Sequence, residues 1–491
     1  MIAQRGLPMR RLRPVPQRTA RRPALVLAAV AVLIAALPVL GHGLGGAPLA
    51  EDETSLAIAV QRIEGRSSAG EEDDASAVAD DARSSGAADP ALAELVAIAP
   101  RLIGSSELSL RSTGVLAGAL ALALLVDLGE RLFATRVGVL AAALLIALPT
   151  GRRLLGRELG VEPYVLLASV VALLGIRRTG EKRAAALVAG LAGGFTIVLS
   201  GPTGFWVVLM ALLWLRGGQG LTPRSAASVV GCALGVVLAI AGGLAIARGS
   251  LAGLGTQFAA HLVAIGTTGR PRVADLARGG EDLLPILPAL VLGWRLLPSR
   301  WRESSGVRFA TWWLGLAAIA RLLGGPTSPA YAALVLLVAA VAEWGLEHAR
   351  RPAVIGVLAA GGVIVLVLTA VRAPARAAES LDRWAAREAG RFVGRVIPDQ
   401  RRIAAQTDVG GRIEFYANRP IERLASGASV GSEIDYVVLD RSRLRAAKPV
   451  PNRSDRRPID RGTTASHLDL RSIAEFGGWT VARCAPAQQA P

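Results

Sequence analysis

The chain has 491 residues, of which 52% are hydrophobic and only 4% aromatic, and it carries a formal net charge of +17. The apolar residues gather in blocks of roughly 15–23, the length that crosses a hydrocarbon core about 30 Å thick, so an ordinary soluble fold is excluded and an integral membrane domain is expected. The basic residues punctuate these blocks and do not collect on one polar module, which argues against a nucleic-acid partner.

Residues 1–22 form an Arg-rich tail with Arg5, Arg10, Arg11, Arg13, Arg18, Arg21 and Arg22 and no acid. The positive-inside rule sets this end in the cytoplasm. The apolar run Pro23–Leu44 follows. It is longer than a signal-peptide core, lacks a small-x-small cleavage site and precedes many further apolar runs, so it reads as a first transmembrane helix. Residues 45–112 read as an outer loop, with acids from Glu51 through Asp73, Asp74, Asp80 and Asp81 to Glu107. Within it Leu56, Val60 and Ile63 recur at helical spacing, as do Leu92, Leu95, Ile98 and Leu102. Both stretches are short for spanning and read as helices lying at the membrane surface. Gly65–Pro90 between them is rich in Ser, Ala, Gly and Asp and reads as a linker.

Further span candidates are Thr113–Leu128, Val137–Leu148, Val161–Leu174, Ala184–Leu199, Gly204–Leu215, Ala226–Ala247, Leu283–Leu297, Val307–Leu323, Ala330–Trp344 and Ala353–Val371. With the first they make about eleven, and odd parity sets the two termini on opposite sides. From Arg372 the composition becomes that of a soluble module. Ala377–Val393 reads as an amphipathic helix, and Arg412–Ala417, Asp435–Asp440 and Trp479–Cys484 as strands. His467–Phe476 reads as a helix, and residues 445–463 as a polar loop rich in Pro and Arg. The expected architecture is an all-α polytopic membrane domain over 23–371 and a small α/β extracytoplasmic domain over 372–491.

Two stretches could carry chemistry. Asp52 and Glu53 follow the first span directly. They read either as acids at a helix N-terminus, where free N–H groups and the dipole favour negative charge, or as a carboxylate site that deprotonates an acceptor hydroxyl or amine. The loop between the third and fourth expected spans holds Arg152, Arg153, Arg157, Glu158 and Glu162. Charges on the disfavoured side of a membrane ask for a reason, which is either phosphate binding by Arg or capping and snorkelling. In the loop 248–282, His261, Arg270, Arg272 and Arg278 read as ordinary headgroup-facing residues. Gly201-Pro202-Thr203-Gly204 reads as a tight turn between two spans. Cys232 and Cys484 form neither a disulfide framework nor a metal motif.

The chain resembles the GT-C membrane glycosyltransferases of the protein O-mannosyltransferase and aminoarabinose transferase type. The resemblance runs through Asp52-Glu53 with its following surface helix, Gly104-Ser105-Ser106-Glu107-Leu108-Ser109-Leu110-Arg111, Gly129–Phe133, Gly138–Pro149 and Arg157–Leu167. It covers about residues 20–220 and continues more weakly through Ser328-Pro329-Ala330-Tyr331. It implies a GT-C-like fold and a transferase with a polyprenyl-phosphate-linked sugar donor and a lipid, glycan or protein acceptor at the outer membrane face. Asp52 is then the base, with Glu53 as its motif partner. Glu162 matches an acid linked in relatives to a metal or to donor positioning, so a divalent cation is the cofactor the resemblance allows. Arg157, Arg153 and Tyr331 become donor-binding residues. Where relatives carry an aromatic segment and a Lys, this chain has Pro90-Ala91-Leu92-Ala93-Glu94 and Ser200. A non-catalytic membrane scaffold is the rival expectation. A transporter ranks below both, because no internal repeat and no charge pair at span midpoints is evident.

Overall fold

The computed structural model describes residues 22–42, 44, 48–69, 90–104, 106–178, 183–216, 223–247, 304–347, 381–424, 434–440 and 468–486, and among these the chain is helical up to residue 347 and α/β from residue 381. The expected spans Leu283–Leu297 and Ala353–Val371, the loop with His261 and the Arg-rich loop 445–463 lie outside the described residues.

Helix α1 (Arg22–Gly41) is apolar on all sides and leaves Leu27 and Ile34 exposed, as a helix bathed in lipid does. Helices α2 (Glu51–Ala69) and α3 (Pro90–Ile103) form over the two stretches with helical spacing in the expected outer loop. Their apolar stripes, Leu56, Val60, Leu92 and Val96, bury against one another and against Leu110, Tyr164 and Phe415. Helix α4 (Glu107–Leu132) starts where Ser106 and Ser109 cap each other: Ser109 N donates to Ser106 Oγ at 3.1 Å, and Ser106 N to Ser109 Oγ at 2.9 Å. Helix α5 (Thr135–Ala147) packs back along it, and Gly129 and Gly138 allow their backbones to touch.

The chain then bends by 90° at Leu148 into Pro149–Arg157, an α-turn (α6, Pro149–Arg152) continued as a π-turn. Helices α7 (Glu162–Arg178), α8 (Arg183–Ser200), α9 (Trp206–Arg216), α10 (Pro223–Ala247), α11 (Ser305–Leu322) and α12 (Ser328–Glu347) are the other helices of the bundle among the described residues. Its core runs from Leu40 and Leu122 to Trp214, Trp313 and Leu336.

The eleven expected spans are not reached among the described residues. Pro23–Gly41, Glu107–Leu132 and Ser328–Leu346 are long and apolar enough to cross a membrane, and Thr135–Arg157 is a fourth if its bent halves are counted as one. The other apolar helices are shorter. Gly and Pro break them: Gly201–Phe205, expected as a plain turn, is one turn of 3₁₀ helix leading into α9. At the end of the bundle away from α2, Asp127 pairs with Arg131 at 3.0 Å and Arg178 at 2.5 Å, and Arg177 lies 4.9 Å above the Trp214 ring. Asp127 is thus committed to a structural lock.

Near the C-terminus, a helix over 381–396 (α13) and α14 (Thr407–Ala417) cover a five-stranded sheet of order β2-β1-β3-β5-β4. The strands are β1 (Ile403–Gln406), β2 (Glu422–Leu424), β3 (Tyr436–Asp440), β4 (Leu468–Phe476) and β5 (Trp479–Pro486). β1 runs parallel to β2 and β3, while β3–β5 and β5–β4 are antiparallel.

Two expectations are overturned here. Arg412–Ala417, expected as a strand, is the end of α14: Val409, Ile413 and Ala417 lie four residues apart and all bury in the domain core. Tertiary burial outweighs the β preference of Ile413, Phe415 and Tyr416. His467–Phe476, expected as a helix, contains strand β4, joined to β5 across Gly477-Gly478. A bulge between Ser472 and Ala474 shifts its side-chain phase by one, which gives the sequence a false helical period.

Both cysteines are free thiols. Burial, with the Asp435 charge second, pushes the Cys484 thiol up to about 11. Since the thiolate is the nucleophile, Cys484 should alkylate at pH 8 on the order of a hundred-fold more slowly than a free thiol. An iodoacetamide time course read by peptide mass spectrometry checks this.

Candidate active site

The first turn of α2 is held by one side chain. Glu53 stands at the third helical position and is fully buried. Its Oε2 accepts the Ala50 amide at 2.5 Å, which satisfies a backbone donor that every helix start leaves open. The same oxygen accepts Arg111 Nη2 at 2.7 Å, and Oε1 accepts Arg111 Nε at 2.9 Å, a bidentate pair. Oε1 also accepts the amide of Leu159 at 2.5 Å. Arg111, 2% exposed, also donates to the carbonyls of Leu44 (3.2 Å) and Pro48 (3.3 Å). One ion pair thus joins α2, α4, the chain leaving α1 and the loop after α6. With four N–H donors on it, Glu53 has no lone-pair direction left for an acceptor. Asp52 precedes it in the same helical turn.

The loop after α6 owes its path to glycine. Gly156 adopts φ 101°, a left-handed conformation that L side chains rarely take, and lies against Gly114. Leu155 lies against Gly118, one turn further along α4. Gly114 and Gly118 form a small-xxx-small seat for a backbone, here that of the bent segment Pro149–Arg157. The seat carries the loop to where Leu159 reaches Glu53. Arg153 is exposed and pairs with Glu158 at 2.8 Å. Arg157 is half-buried and pairs with no anion among the described residues.

Glu162 does not reach α2 directly. Its Oε1 accepts the amide of Thr327 and its Oε2 that of Ser328, both at 2.8 Å, and Ser328 Oγ donates to the Glu162 carbonyl at 2.8 Å. The carboxylate caps the N-terminus of α12, where the helix dipole favours a negative charge. Tyr331 follows in the first turn of that helix and is buried. The link from Asp52 to Tyr331 therefore runs through Glu53, Leu159 and Glu162. Beside it, Thr113 Oγ1 and the Tyr164 hydroxyl share a hydrogen bond of 2.6 Å.

Both oxygens of Glu162 are occupied by backbone amides, and among the described residues no three His, Cys, Asp or Glu side chains converge. These residues do not fit a divalent cation.

The C-terminal domain closes over α2. The Leu49 amide donates to the Tyr416 hydroxyl at 2.8 Å, and Gln61 Nε2 donates to the Phe415 carbonyl at 3.4 Å. Arg387 Nε lies 3.3 Å from Glu107 Oε1, an ion contact out of line for a hydrogen bond, with both side chains about nine-tenths buried. The Arg387 guanidinium also lies over the rings of Trp384 (5.0 Å) and Tyr416 (6.0 Å). Burial pushes the Tyr416 phenol up to about 12, against the lowering effect of the Leu49 amide, so the hydroxyl stays neutral.

Arg111, Glu107, Tyr416 and Arg387 were not assigned roles from the sequence. For Arg111 and Glu107 the signal was there: two opposite charges four residues apart on one face at the start of an apolar helix. Tyr416 and Arg387 gave no such signal.

Residues 88–245 match the model of a family described as dolichyl-phosphate-mannose-protein mannosyltransferase. No curated protein matches the chain. The fold matches ArnT from Cupriavidus metallidurans bound to undecaprenyl phosphate, at TM-score 0.55 and 12% identity, over 97% of this chain and 100% of that one. The apo state of the same protein matches at TM-score 0.51 and 13% identity, over 96% and 100%. The apo oligosaccharyltransferase of Archaeoglobus fulgidus, at TM-score 0.48, 14% identity and coverage of 86% and 70%, is too distant to carry weight. The chain thus shares its fold with ArnT from Cupriavidus metallidurans, and its residues 88–245 are similar to the dolichyl-phosphate-mannose-protein mannosyltransferase family.

Proposed function

We propose that this protein is a glycosyltransferase that moves a sugar from a polyprenyl-phosphate donor to a lipid, glycan or protein acceptor at the outer membrane face. The N-terminus is then cytoplasmic and the C-terminal domain extracytoplasmic. One observation carries the reading: a buried ion pair, Glu53–Arg111, ties the turn bearing Asp52 to the loop bearing Arg157, a half-buried cation with no anion among the described residues. The family match and the fold shared with a protein solved with undecaprenyl phosphate support the choice of donor.

In this mechanism Asp52 takes the proton from the acceptor hydroxyl or amine as its oxygen or nitrogen attacks the anomeric carbon. The bond from that carbon to the phosphate oxygen breaks, and its electron pair leaves with the polyprenyl phosphate. Arg157, with Arg153 and Tyr331, meets the charge that develops on the leaving phosphate. Glu53 and Glu162 hold the elements that carry these groups. The lipid brings the sugar already activated, so no nucleotide site is needed.

Membranes bearing the full chain, supplied with a labelled sugar on polyprenyl phosphate, test this. Asp52→Asn should lower kcat by about 10²–10⁴-fold, the range of general-base catalysis. Arg157→Gln should chiefly weaken the use of donor. Equal transfer by wild type and Asp52→Asn removes Asp52 from the chemistry. No transfer by any variant favours the scaffold.

A further inference from the structure

The C-terminal α/β domain meets the membrane domain at the very turn that carries Asp52. Leu49 is fully buried two residues before α2 begins, and the acceptor of its amide is the Tyr416 hydroxyl of α14. Helix α14 approaches α2 so closely that a Cβ on Gly411 would lie 2.8 Å from Thr54 Oγ1, next to Glu53 in sequence. Phe415 enters the apolar cluster of Leu49, Leu56 and Val60. Arg387 meets Glu107, and Glu107 stands one helical turn before Arg111, which holds Glu53. The charges therefore run in order from the domain to the turn: Arg387, Glu107, Arg111, Glu53. In a buried setting such a lattice is screened little by solvent, so moving one end is felt at the other.

We propose that the C-terminal domain is a clamp that sets the position of the first turn of α2, with Tyr416 and Arg387 as positioning residues for the transfer. This rests on the function proposed above. Neither residue touches substrate. Each acts through the backbone of Leu49–Asp52 or through the Glu107–Arg111–Glu53 charges. Misplacement of a catalytic group by about an ångström costs up to a hundred-fold in rate, so a clamp of this kind governs kcat and leaves donor affinity alone.

The test uses the full-length protein in lipid nanodiscs, with Tyr416→Phe, Arg387→Gln, Arg387→Lys, the wedge Gly411→Val, and Glu422→Gln at an exposed position of edge strand β2 as control. Tyr416→Phe removes a single oxygen and leaves the Leu49 amide without its acceptor. Amide exchange over residues 49–57 should rise about ten-fold, with the β1 and β3 peptides unchanged. Its kcat should fall about ten-fold with the donor KM unchanged. Arg387→Gln and Gly411→Val should act in the same direction, Arg387→Lys should restore part of the loss, and Glu422→Gln should match wild type. Unchanged exchange and kcat in Tyr416→Phe overturn the clamp. Faster exchange with wild-type kcat reduces the domain to a fastening and overturns its positioning role. If the wild type transfers no sugar, the function fails on its own, and exchange over 49–57 alone decides whether the clamp exists.

Discussion

Arg111→Met should be among the most damaging single substitutions in the chain. It leaves the Glu53 carboxylate fully buried without its counter-charge and takes donors from the carbonyls of Leu44 and Pro48. Breaking a buried ion pair by removing one partner costs about 3–5 kcal/mol. The pair is bidentate and screened by neither water nor salt, so the loss should be the same at low and high ionic strength. Glu53→Gln should also be costly: its amide oxygen can accept two of the four N–H groups, but its NH2 faces the other two and Arg111 is left buried without a counter-charge. The two changes together should cost less than their sum, since the double variant has no orphan charge. Thermal unfolding in detergent, over the four corners of the cycle and at two salt concentrations, checks this. Additive losses would mean that Glu53 and Arg111 act independently.

Gly156→Ala should unseat the bent segment Pro149–Arg157. A Cβ there would lie 2.2 Å from the Gly114 carbonyl carbon, and the residue would have to hold φ 101°. The left-handed conformation costs about 1–2 kcal/mol, and forcing extra atoms into a packed contact about 1–3 kcal/mol more. Gly118→Ala meets the Leu155 carbonyl oxygen at 2.1 Å and should fail for the second reason alone. Gly160→Ala is the control: it lies in the same loop, no atom stands within 4 Å of its Cβ, and its φ is not positive. Both damaging variants should lower the melting temperature and weaken donor binding through Arg157, while Gly160→Ala should do neither. A Gly156→Ala protein with wild-type stability would show that the seat on α4 is loose.

Much of the bundle is legible in the sequence because lipid makes its demands residue by residue. A spanning helix must be apolar nearly throughout, and the stretches around Thr113–Leu128 and Ala330–Trp344 meet that demand with no help from elsewhere. Helices α2 and α3 show their stripes because each buries one face against the other and against the bundle. Helices α8 and α9 fall short of that residue-by-residue rule, so among the described residues fewer of the expected spans are long and apolar enough to cross. In the soluble domain, side-chain phase is set by neighbours. One extra residue at Ser472–Ala474 disguised a strand, and the packing of α14 under Thr54 made a helix of β-prone residues. The candidate site was legible as charges and illegible as bonds. Asp52, Glu53 and Glu162 stand out in an apolar sequence. That Glu53 belongs to Arg111, and Glu162 to the start of α12, depends on contacts across 58 and 165 residues.

The bond between Leu49 and Tyr416 spans 367 residues of chain. Its thermodynamic cost is small, because loop-closure entropy grows only with the logarithm of length. Its cost in time is not. At synthesis rates of 5–20 residues per second, roughly 20–70 s separate the emergence of its two ends. Through that interval α1 and α2 are already made, yet the amide of Leu49 has no acceptor. A chain that ends anywhere before Tyr416 can therefore insert the spans already made, but its α2 turn stays unfinished. The order of birth along the chain makes the turn that bears Asp52 among the last parts of the molecule to mature.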